Sequence, residues 1–270
     1  MPRSATANVD VSTGILVGAS GPRKRRYYYH DFDLIPNLAA GLDVNATDSS
    51  SADADIEEAF ETNKDWALAG TNAVFASGSF ATGGGVTLTT TAAANDQMQL
   101  LPNSSALVKT GLEVIDWDTS KQPAVEWGFR TPSTITNMTF WCGFAITNPA
   151  PYNVTDDHDQ IKVEYVTGVN SGNFVVRYSN GTHATDNDFS INTGLAFEAD
   201  TSYWCKIRVG SDRLADVTIG TANEPGAATH TRTENALRAD ILTLKPVIGV
   251  QTSTGARAIT VDYVAIGRDR

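Results

Sequence analysis

Several things are scarce in this chain, and each shortage narrows what it can be. With two cysteines in 270 residues, it has neither a disulfide framework nor a cysteine-built metal site. Cys142 and Cys205 each follow a tryptophan and each falls on the apolar phase of a strand pattern. That placement predicts buried free thiols, and a bridge stays geometrically possible if the two strands face each other. Histidine is also rare. His30, His158, His183 and His230 are scattered among polar stretches, and none stands in a nucleophile motif such as Gly-x-Ser-x-Gly. No run approaches the roughly 20 apolar residues of a membrane span, and the N-terminus lacks the order of a secretory signal, so synthesis in a cytoplasm is expected.

Positive charge is short as well: 20 Lys and Arg stand against 31 Asp and Glu, for a net charge of −11. The deficit is uneven. Residues 1–30 hold Arg3, Arg23, Lys24, Arg25 and Arg26 against Asp10 alone, a surplus of +4 that leaves −15 on the rest. A body so acidic repels nucleic acid and membrane surfaces, whereas a basic arm can seek an acidic partner.

What the chain does have is glycine, threonine, serine and asparagine between short apolar runs, which suits strands joined by polar turns. Residues 1–26 read as an extended basic arm with one apolar triplet, Ile15-Leu16-Val17. Its few apolar side chains cannot offset the entropy of ordering it alone. Residues 27–270 read as one domain. Ile56, Ala59, Phe60 and Asn63 fall at helical spacing, which predicts a short helix near 52–63. From Ala73 onward the period is two. Phe140, Cys142 and Phe144 share a face; Ile161, Val163 and Tyr165 share another, with Lys162 and Glu164 expected to point to water. Trp204, Lys206 and Arg208 alternate with Tyr203, Cys205 and Ile207. The stretch from Ala258 to Ile266 is apolar on both faces, which predicts a strand covered on two sides and pairing with a strand near Tyr28 to Phe32. At least ten strands without intervening helices predict an all-β fold of two packed antiparallel sheets.

From Tyr27 onward the landmarks resemble the concanavalin A-like, or laminin G-like, jelly-roll proteins found among tailed-bacteriophage virion genes. They are the Arg/Lys-then-Tyr opening, Gly84 to Thr90, Trp127-Gly128-Phe129, Phe140 to Phe144, Tyr203 to Val209 and Ile259 to Val264. The resemblance implies a jelly-roll sandwich and a non-enzymatic virion protein, made in the host cytoplasm, that decorates and cements a capsid. Its expected partners are the major capsid protein and two further copies in a homotrimer, with no nucleic acid and no membrane. Attachment would fall to Ile15, Leu16, Val17, Arg23, Lys24, Arg25 and Arg26 of the arm. The alternative is a glycan-binding module of a head or tail fibre.

Site motifs are sparse. Glucan-cleaving enzymes of this fold class need Glu-x-Asp-x-x-Glu, and the nearest approach, Glu113 to Asp118, has the wrong spacing. Asp156, Asp157 and Asp159 could hold calcium, but an acidic loop is ordinary in so acidic a chain, and no metal or cofactor is assigned. Gly83-Gly84-Gly85 lacks the helix and Lys-Ser/Thr of a phosphate cradle. Of Trp66, Trp117 and Trp204, the last is the best sugar-stacking candidate, because it shares its strand face with Lys206 and Arg208.

Overall fold

A computed structural model describes residues 9–10, 15–16, 25–31, 66–70, 78–80, 85–102, 118–145, 160–179, 188–221, 228–237 and 244–269. The strands it describes form two antiparallel sheets. The larger runs β1 (Val9–Asp10), β2 (Ile15–Leu16), β3 (Arg25–Asp31), β17 (Ala258–Asp269), β8 (Ala124–Arg130), β13 (Ser202–Val209), β14 (Ala215–Thr221) and β15 (Thr229–Arg232). Two further strands join it, β6 (Val86–Thr89) against β17 and β5 (Gly78–Phe80) against β6. The smaller runs β12 (Asp188–Ala196), β11 (Asn173–Ser179), β10 (Gln160–Val166), β9 (Met138–Ala145), β16 (Lys245–Thr252), β7 (Gln97–Pro102) and β4 (Trp66–Ala69). The two-sheet sandwich expected from the alternating pattern is therefore present.

β17 is central, as its composition predicts. Its first part, Ala258 to Val261, pairs with β6, and its second, Tyr263 to Asp269, pairs with Asp31 to Arg25 of β3. Its other edge lies along β8, with a register shift between Val261 and Tyr263. The expectation that both its faces are covered does not hold: Thr260, Asp262, Tyr263 and Ala265 are only half-buried. Its inward residues Ile259, Val261, Val264 and Ile266 are buried in the core, and its outer side chains stay partly open.

Inward-facing residues of the two sheets make one core. Trp127 and Phe129 of β8, Cys205 and Ile207 of β13, and Phe140, Cys142 and Phe144 of β9 are all 0% exposed. Period-two alternation puts these side chains on one face of each strand, and burying each large one contributes roughly 1.5–3 kcal/mol. At the centre the Phe129 and Phe140 rings lie 4.6 Å apart, and Phe174 meets Phe129, Phe140, Phe197 and Tyr203 edge-on at 6.4, 6.3, 5.1 and 5.0 Å.

Cys142 and Cys205 are free, buried and contributed by opposite sheets. Burial pushes the Cys142 thiol well above its ordinary range, and the Cys205 thiol beside it pushes the same way. Neither should react with iodoacetamide in the native protein, so labelling followed by mass spectrometry should track unfolding; rapid labelling without unfolding would contradict this packing. A raised thiol pKa contributes stability that is full below the ordinary value of about 8.5 and declines as pH rises beyond it, because only the unfolded chain then releases its proton.

Candidate functional site

Lys162 and Glu164 do not point to water. Each is 1% exposed, although both lie on the face of the seven-stranded sheet that is turned away from the core. Glu164 accepts a hydrogen bond from Arg177 Nε at 2.7 Å on the neighbouring strand, so charge pairing rather than hydration satisfies that oxygen. Gln97, Gln99 and Trp141 share this face and are 0–1% exposed. Trp141 packs with Ala145 and Val247 in a small second cluster. Polar alternation marks which residues avoid the core, but it does not reveal whether their own face is covered. Buried as they are, these five side chains are not open to a ligand.

The outer face of the ten-stranded sheet is different. Trp204 stands here with Lys206 and Arg208, as the alternation predicts, and is half-buried. Its strand neighbours in register are Gly220 on β14 and Gly128 on β8, and Gly128 is in turn opposite Tyr263 on β17. Two glycines thus alternate with two aromatics across four strands. A methyl group placed on Gly220 would sit 3.2 Å from each of the indole atoms Cε2, Cζ2 and Nε1. Equal distances to three neighbouring ring atoms put the indole face, not its edge, over the glycine. The Tyr263 ring fills the corresponding space over Gly128 and donates its hydroxyl to Glu126 Oε1 at 2.9 Å. Without Cβ atoms beneath them both rings lie down against the sheet, an arrangement known to shield glycine backbone in strands. The opposite ring faces then look outward. Tyr263 lies over β8 and Trp204 over β14, two strand spacings or about 10 Å apart.

Polar groups surround this aromatic strip. Lys206 Nζ lies 3.5 Å from Glu126 Oε2, Arg130 Nε donates to Asp262 Oδ1 at 2.8 Å, and Arg232 bonds Asp216 Oδ1 at 2.7 Å as well as Asp212. His230 Nε2 sits 3.6 Å from Asp216. A flat apolar ring face bordered by charged and hydroxyl groups is chemically suited to stack on the C–H face of a sugar while bonding its hydroxyls.

The chain matches no family model, and no curated protein matches it in sequence. Solved structures do match in shape. A protein of unknown function from Shewanella oneidensis MR-1 is 15% identical with a TM-score of 0.56, covering 100% of this chain and 97% of its own. The winged bean acidic lectin complexed with methyl-α-D-galactose is 10% identical with a TM-score of 0.52, covering 90% and 99%. A β-glucanase from Bacillus licheniformis is 11% identical with a TM-score of 0.50, covering 89% and 97%. The fold is a concanavalin A-like sandwich. At such identities the likeness establishes architecture alone, and the same architecture carries a lectin in one neighbour and an enzyme in another.

Within this sandwich the other sequence candidates are placed as follows. Ile15 and Leu16 pair in register with Tyr28 and Tyr27, and Arg25 and Arg26 lie on β3 opposite Asp269 and Arg268. Val17, Arg23, Lys24, the helix near 52–63, Trp117 and the Asp156 to Asp159 loop fall outside the described residues. Asp118 is 3% exposed and accepts a bond from Ser120, so it is a buried turn residue. Among the described residues no cluster of three or more His, Cys, Asp or Glu side chains could hold a metal ion. A cleft of about 260 Å³ at one end of the seven-stranded sheet is lined by Asn95, Asn137, Thr139, Gln251 and Ser253, among others, and contains no aromatic ring. Sequence reasoning found Trp204 and missed Tyr263, because only the cross-strand register places Gly128 beneath its ring.

Proposed function

We propose that this protein binds carbohydrate, and that the sugar stacks on the Trp204 and Tyr263 rings. The observation that carries this reading is the pairing of each ring with a glycine, which turns two aromatic faces outward on one half-exposed sheet surface. Lectin neighbours of the same fold support it without deciding it. In the virion setting that the sequence resemblance suggests, such a face belongs to a head or tail fibre touching host-surface sugar. Capsid cementing through residues 1–26, with a trimer on the major capsid protein, is a second proposal that rests on that resemblance.

Trp204→Ala should cut binding roughly five- to a hundredfold on a glycan array, since stacking on an aromatic ring contributes on the order of 1–3 kcal/mol and each 1.4 kcal/mol is a factor of ten. Thermal unfolding should confirm that the variant remains folded. A folded variant that keeps full binding to the sugars recognised by the parent protein would remove the strip from the site, and a parent protein that binds no sugar at all would end the reading.

A further inference from the structure

Every cation described above on the outer face of the ten-stranded sheet is held in an ion pair except one. Arg130 has Asp262, Lys206 has Glu126, and Arg232 has Asp216 and Asp212. Arg208 is opposite Asp216 on one side and Ala124 on the other, but Asp216 is occupied by Arg232, and Ala124 offers no acceptor side chain. Arg208 Nε is buried and has no hydrogen-bond partner among the described residues. A guanidinium N–H withdrawn from water without an acceptor is costly, and native proteins rarely keep one except where an ion, a water or a ligand completes it. The chain carries a net charge of −11, so a cation without an ion pair on this strand is not a product of overall composition.

Position adds to the case. Trp204, Lys206 and Arg208 lie at alternate positions of one strand and therefore on one face, with about 7 Å between successive members. Lys206 is half-exposed, and its distance of 3.5 Å from Glu126 is a loose pairing. A glycan stacked on Trp204 and running along β13 would reach Lys206 and then Arg208.

We infer that the carbohydrate taken by this face is acidic, with a sugar carboxylate received by Arg208 and supported by Lys206. The inference rests on the proposed sugar-binding role of the strip and names the class of sugar. The planar guanidinium fork matches a carboxylate in a two-point contact that an ammonium or an amide cannot reproduce.

The test is a panel of oligosaccharides in matched pairs, each carboxylated sugar beside its neutral counterpart, such as oligogalacturonate and its methyl ester, or sialyllactose and lactose. The parent protein should hold the acidic member on the order of tenfold more tightly than the neutral one, the ratio one charge-assisted hydrogen bond supplies. That preference should shrink with added salt. Arg208→Gln should bring the acidic-to-neutral binding ratio close to one in a protein that keeps its melting temperature, and Trp204→Ala should weaken both members. Equal binding of both members by the parent protein overturns the acidic assignment and leaves the sugar-binding role standing. A preference that survives Arg208→Gln overturns the role of Arg208. Acidic binding that ignores Trp204→Ala is ion exchange and overturns the shared site. No binding anywhere on the panel removes the sugar-binding reading and this inference together.

Discussion

Phe140→Ala should lower the free energy of unfolding by roughly 3–5 kcal/mol, the range for truncating a fully buried aromatic side chain. Phe140 is 0% exposed and lies where the sheets meet, with its ring 4.6 Å from Phe129, 5.6 Å from Phe197 and 6.3 Å from Phe174. Removing it deletes transfer energy and opens a cavity walled by rings that cannot collapse independently, because each is also packed on another. Phe129 stacks on Tyr203 at 5.7 Å, and Phe197 stacks on Tyr165 at 4.0 Å. Urea unfolding should show a lower midpoint with an unchanged slope. A loss under about 1 kcal/mol would mean that the sheets repack freely, contrary to the interlocking described here.

Gly249→Ala should be nearly as damaging, although it adds only a methyl group. A Cβ on Gly249 would lie 2.5 Å from Trp141 Cζ2, 2.7 Å from Cε2 and 2.9 Å from the carbonyl oxygen of Met98. The backbone cannot retreat, because β16 is paired with β9 on one edge and β7 on the other, and Trp141 is 0% exposed, so its ring has no open space to enter. Overpacking of this kind typically costs about 1–3 kcal/mol, and a pinned ring places Gly249→Ala at the upper end. Gly220→Ala is the informative control. There the facing indole is 3.2 Å away, half-buried and free to lift. Its stability change should stay within about 1 kcal/mol, because adjustment is possible and the unfolded chain loses entropy. Comparable losses from the two substitutions, measured by chemical denaturation, would refute the distinction between a pinned ring and a resting one.

The same contrast explains how far the sequence could be read. Alternation is a local signal, so it identified the inward faces: Phe140, Cys142 and Phe144 on one sheet, Tyr203, Cys205 and Ile207 on the other. It also placed Trp204, Lys206 and Arg208 together on an outer face. It misread Lys162 and Glu164, because a polar residue opposite the core looks the same whether its face meets solvent or is buried. It could not find the Trp204–Gly220 and Tyr263–Gly128 partnerships, nor the missing acceptor of Arg208. Those depend on register between strands brought together by folding, and period two carries no information about which strand lies alongside. The final strand was legible as a central one from its unbroken apolar run, and it does pair with the region of Tyr28.

The way β17 divides one of its edges between β6 and β3 while lying against β8 on the other bears on how the protein is made. These three partners leave the ribosome long before residues 258–269, and until that segment arrives each has an unoccupied backbone edge of the kind that invites pairing with other chains. Closure of the larger sheet consequently waits for residues 258–269, slowed by contacts far apart along the chain and exposed to aggregation until it is complete. The yield of native protein in a cell should therefore depend more on temperature and chaperone supply during synthesis than on the stability of the finished sandwich.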